Sequence, residues 1–299
     1  MDPLYFRAIP CPFILIGTAI YAHLGTRLRL GAGYLFLYAL FPFLLNLFFF
    51  VGFYSNDAPA FLGGAFCCLA AHHWLAPNPR SHRALCFFLL GLTLASVKLT
   101  SLLLAALFTA SLCLLHLAPC KQLSWPAYAA SAAWFCCLLL PYVVFWQQYG
   151  SPVPDTQGQR DMMAAFGTTA PAHAMGFARF CLAMLPRLAD QSTDPEITGL
   201  PLLWFLASIA SLFCIPRIRG VAATRSDGIT PVATATAFAT FATLTIHLLF
   251  VYQRYISYGW GVGDINLRYY FPLLPAYGQL ALAATYGTVK SLLERSNAS

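Results

Sequence analysis

Apolar runs about as long as a helix needs to cross a hydrocarbon core recur along the whole chain, parted by short polar breaks. They run Pro10 to Leu24, Gly31 to Phe53, Ala58 to Ala76, Ala84 to Val97, Leu99 to Ala118, Pro126 to Trp146, Leu200 to Ile215, Pro231 to Tyr252 and Tyr269 to Thr288. The pattern predicts an all-α, polytopic transmembrane helical bundle of about nine spans. The first, fourth and seventh runs are short, and Lys98 alone parts the fourth from the fifth, so those two also read as one bent element. No stretch alternates apolar and polar residues long enough for a membrane β-barrel. With 59% hydrophobic and 9% charged residues and a mean hydropathy of +0.67, the 299 residues form a single bundle domain, 1–299, with no room for a soluble domain.

Charge gives the bundle an orientation, because Lys and Arg in short loops favour the cytoplasmic side. Nine spans place Arg27, Arg29, Arg80, Arg83, Lys121, Arg217, Arg219, Arg225, Lys290 and Arg295 on one side, with only Asp227 and Glu294. The other side holds seven basic and eight acidic residues, so the two sides carry +8 and −1 and sum to the chain's +7. The bias predicts an outer amino terminus. It also accounts for the positive charge as a membrane-surface effect, with no nucleic-acid partner.

The one long connection, Gln147 to Gly199, falls on the outer side, either covering a site there or merely tethered. Within it, Phe177, Phe180, Leu182, Leu185 and Leu188 can share part of a helical face, with Arg179 and Arg187 toward headgroups and a break at Pro186. A short interfacial helix is expected. The opening MDPLYFRAIPCP lacks the basic stretch and small-residue cleavage pattern of a signal peptide.

The ten cysteines do not take C-x-x-C spacing. Cys67, Cys68, Cys136 and Cys137 come as adjacent pairs inside spans and read as small apolar packing residues. His72 and His73 read as a polar helix end rather than metal ligands. Asn297-Ala-Ser299 matches a glycosylation sequon but falls on the cytoplasmic side, where it stays unmodified.

Four charged residues need another account: Asp57, Lys98, Asp264 and Arg268 all fall on the outer side. At a helix centre Lys98 would cost about 2.5 to 3.5 kcal/mol, so it belongs at a span end or facing a polar cavity. Tyr269 and Tyr270 follow Arg268 and suit the interface. Singly, each cation reads as an interfacial anchor; a carboxylate and two cations reaching one face from separate loops weaken that reading.

The order FPFLLNLFFFVGFYSNDAP, GLTLASVKLTSLLLAALFTASL and RYYFPLLPAYGQLALAA resembles the GT-C type of polyprenyl-phosphate-sugar glycosyltransferases, particularly dolichyl-phosphate-mannose protein mannosyltransferase-like proteins, over roughly Arg7 to Gly287. The resemblance implies transfer of a sugar from a polyprenyl-phosphate donor to a protein, lipid or glycan hydroxyl on the non-cytoplasmic face of the endoplasmic reticulum or bacterial inner membrane. Lys98 and Arg268 would stabilise the departing phosphate, with Asp264 and Tyr269 beside them in the substrate site. Asp57 would take the acceptor's proton or help to hold a divalent metal. The family's opening span and first acidic outer loop are not matched, and Asp2 is the only early acid. A truncated enzyme, or a non-catalytic protein on the same scaffold, is the reading that follows. A transporter of lipid-linked or small solutes is the third, and it predicts charges within several spans and broken helices in matching halves.

Overall fold

The computed structural model describes residues 9–27, 57–76, 78–153, 173–190, 229–258 and Leu273. The elements among them are helical: α1 Pro10–Arg27, α2 Asp57–Trp74, α3 Ser81–Ala95, α4 Leu99–Leu115, a 3-10 turn Cys120–Gln122, α5 Trp125–Tyr149, α6 Phe177–Asp190 and α7 Ile229–Tyr258. Two of them, α5 and the Thr234–Ser257 part of α7, are long and apolar enough to cross a membrane. Pro10–Leu24, Ser81–Ala95 and Leu99–Leu115 are apolar but shorter. The expected spans Gly31 to Phe53, Leu200 to Ile215 and Tyr269 to Thr288 lie outside the described residues, apart from Leu273.

Small residues set the packing. α2 and α3 form an antiparallel hairpin that closes on Gly63 and Gly91. A Cβ on Gly63 would stand 2.6 Å from the Gly91 carbonyl oxygen, and one on Gly91 would stand 2.6 Å from the Cys67 sulfur. Backbone meets backbone there, the close approach that small residues permit between helices. On the other side of α2, Gly17 of α1 makes room for the Phe61 ring. Tyr21 lies 5.6 Å from that ring and receives a long contact from Cys68 at 3.9 Å. Cys67 and Cys68 are buried with alanines and Phe61 in this core.

α4 completes the core with Leu102, Leu104, Ala105, Phe108 and Leu112, and packs chiefly against α7. The chain breaks helix between α3 and α4: Ser96 keeps an αR conformation, while Lys98 at φ −145, ψ 126 is extended. Two helices with a tight turn, rather than one bent element, therefore flank Lys98. α5 lies along α3 with no buried side chain and ends at Gly150, whose φ of 68 is a conformation that favours glycine.

A helix stands where the interfacial element is expected, and it differs from the expectation in two respects. α6 runs through Pro186 to Asp190 without a break, the proline withdrawing one amide donor from the helix. Its buried face is Phe180 and Met184, while Leu182 is 68% exposed; positions two apart on a helix point nearly opposite ways.

Candidate functional site

Asp57 opens α2 and Lys98 precedes α4, so hairpin packing sets the distance between them. From the Gly63–Gly91 crossing, α2 has under two turns to run back to Asp57 and α3 about one turn forward to Ala95. The start of α2 and the α3–α4 turn therefore meet at one end of the bundle. There the Lys98 Nζ forms an ion pair with Asp57 Oδ1, with side chains 21% and 6% exposed.

Local fields explain why the pair is needed. A carboxylate in the first turn of a helix is favoured by the helix dipole, by about 0.3–1 kcal/mol at exposed sites. A cation at the N-cap faces the same field with the wrong sign, and Lys98 holds that position on α4. It also follows the C-terminus of α3, where the sign is right, and its amide donates to Ala95 O at 3.2 Å. The Asp57 carboxylate offsets the unfavourable field at this largely buried position.

The turn carrying Lys98 is fastened from outside by α5. Trp134 Nε1 donates to Thr93 Oγ1 at 2.9 Å, and the Tyr142 hydroxyl donates to the Ser96 carbonyl. Thr93 donates to Leu89 O at 2.7 Å and Ser96 Oγ to Thr93 O at 2.7 Å. An otherwise unburied helix thus fixes the backbone beside the lysine.

α7 adds a residue that sequence reasoning missed. Thr236, Thr240, Thr243 and His247 recur at helical spacing on one face, and the three threonines are at most 4% exposed. His247 lies within electrostatic reach of Lys98. The hydroxyls of Thr236 and Thr243, and of Ser101 on α4, are buried with no hydrogen-bond partner among the described residues. A signal was present in the sequence, since a lone histidine in LTIHLLF is an ionisable group inside an apolar run.

Beyond His247, the last turns of α7 carry α6. The Tyr252 hydroxyl donates to Met175 O at 2.8 Å and the Met175 amide donates to the Tyr255 hydroxyl at 3.2 Å. Phe180 stacks among both tyrosines at 5.1 Å from each ring.

Of the residues expected in the site, Asp57 and Lys98 come together. Arg268, Asp264 and Tyr269 lie outside the described residues. Among the described residues no three His, Cys, Asp or Glu side chains gather as metal ligands, and Asp57 pairs with the Lys98 ammonium. No family model, no curated protein and no solved structure matches the chain.

Proposed function

We propose that the chain is a multi-pass integral membrane glycosyltransferase that moves a sugar from a polyprenyl-phosphate donor to an acceptor hydroxyl at the Asp57 end of the bundle. The observation that carries this reading is the Asp57–Lys98 pair, a carboxylate and an ammonium held together in a largely buried position at converging helix ends. A phosphate entering there competes with Asp57 for the ammonium. The lysine then faces the phosphate, and the carboxylate is released to accept a proton. The bond between the sugar's anomeric carbon and the phosphate oxygen breaks, and the acceptor oxygen bonds to that carbon. The acceptor's proton passes to Asp57, and polyprenyl phosphate leaves with the bonding pair, its charge met by Lys98 and, in this reading, Arg268.

A transporter is the second reading, and the Thr236–Thr240–Thr243–His247 stripe favours it: buried hydroxyls and a half-buried imidazole on one face of a membrane-length helix are what a solute or proton path requires. One assay separates the two. Membranes from cells lacking background enzymes are given radiolabelled polyprenyl-phosphate sugars, with the native chain, Asp57→Asn and Arg268→Ala compared. Transfer by the native chain that falls at least 100-fold in Asp57→Asn, at equal expression, supports the enzyme. No transfer from any donor by the native chain sinks it.

A further inference from the structure

The opposite end of the hairpin carries a second constellation that the sugar-transfer reading does not use. The last turn of α2 presents His72 and His73, and the first turn of α3 presents His82 and Arg83 after Arg80. His73 lies within electrostatic reach of Arg80, Arg83 and His23 of α1. Between the two helices is an open groove of about 370 Å³ lined by His73, His82, Arg83, Cys86 and Phe87. Its wall is flat: Phe87 stacks on His73 at 5.6 Å and on Phe66 at 5.9 Å. The carboxylate of α2, Asp57, is sixteen residues away, about 24 Å along the helix at 1.5 Å per residue.

We propose that this groove binds one anionic diacyl phospholipid. The phosphate sits among Arg80, Arg83, His82 and His73, and an acyl chain lies along α3. Charge complementarity selects the headgroup, because two guanidiniums present forked donors to phosphate oxygens and basic residues near a membrane surface attract anionic lipid. The run of α3 away from the rim selects a lipid over free phosphate. Arg83, Cys86, Phe87 and Leu90 follow at three- and four-residue spacing on one face, and Leu90 is 42% exposed. Cation at the end and apolar surface along the length is the outline of an amphiphile. Ser81 is not part of the site, since its hydroxyl donates to Gln122 Oε1 at 2.9 Å.

The inference rests on the membrane placement proposed above, so the test begins there: alkaline carbonate washing of membranes holding the full chain. Extraction into the wash overturns the membrane placement and the lipid site with it. A chain that stays is solubilised in mild detergent, and its retention of dioleoyl phosphatidylglycerol against dioleoyl phosphatidylcholine is measured by native mass spectrometry. Preferential retention of phosphatidylglycerol is expected, falling roughly five-fold in Arg80→Gln and again in Arg83→Gln. Leu90→Gln, at an exposed position that leaves the fold intact, should weaken retention as well. Equal retention of the two lipids, or phosphatidylglycerol retention unchanged in the double arginine variant, overturns the site while leaving the membrane placement standing. Complete displacement by millimolar inorganic phosphate, with Leu90→Gln without effect, overturns it in favour of a simple anion site.

Discussion

α5 and α7 are both long and apolar enough to cross a membrane, yet they do opposite things. α5 buries none of its side chains, and Trp125, Leu140 and Trp146 stand 80%, 60% and 56% exposed. α7 buries one face, built of Ala235, Thr236, Ala239, Thr240, Thr243, Val251 and Tyr255 with no fully buried leucine. Length and apolarity alone therefore do not tell which helix supplies the core. Where the surroundings are as apolar as the side chains, large hydrophobics lose little by facing outward, and the interior goes to residues that pack closely or carry chemistry. α5 contributes through a few polar atoms that hold the Lys98 turn, whereas α7 contributes its whole inner stripe.

The contrast can be broken most severely at the glycine crossing. Gly91→Leu puts a side chain where a Cβ alone meets sulfur and backbone oxygen within 2.7 Å, and it should cost more than about 3 kcal/mol. Thermal unfolding in detergent should show little or no folded protein. The same enlargement on α5, Ala133→Leu at an exposed position, should leave the melting temperature nearly unchanged; an equal loss there would mean that α5 is covered by protein.

The ion pair comes next. Lys98→Met removes the ammonium beside a carboxylate whose side chain is 6% exposed and should cost about 3 kcal/mol, less what the lysine's partial exposure already screens. Adding Asp57→Asn should restore most of that, and unfolding of the two single variants and the double variant measures the coupling. Additive losses would show that the pair does not stabilise the bundle.

The smallest effect is expected within the α7 stripe. Thr243→Val removes a hydroxyl that is buried without a partner among the described residues, so stability should rise by about 1 kcal/mol. A fall of that size would mean the hydroxyl is satisfied in the membrane. Loss of sugar transfer in a variant that melts no lower would assign the stripe to substrate.

Much of this was legible in the sequence, for reasons tied to particular residues. Apolar runs located α1 to α5 and α7 within a few residues, because a helix needs no partner to declare its length. Asp57 and Lys98 stood out because charge in an apolar context is costly wherever it falls. What failed to show was anything requiring contact between distant segments. Gly63 and Gly91 are ordinary glycines until the helices cross, and the sequence pattern does not separate Phe180 from Leu182 because face membership depends on where a partner lies. A histidine among leucines, as His247 is, shows no partner in sequence until the fold brings Lys98 within electrostatic reach.

Because the hairpin closes through main-chain atoms at Gly63 and Gly91, the gap between the two charges is gauged by the backbone itself. A larger neighbour cannot widen it by degrees, and a smaller one cannot narrow it. Drift elsewhere in the apolar surface leaves that gauge untouched, so two helices could exchange nearly every outward-facing residue and still present the same pair of charges at the same spacing.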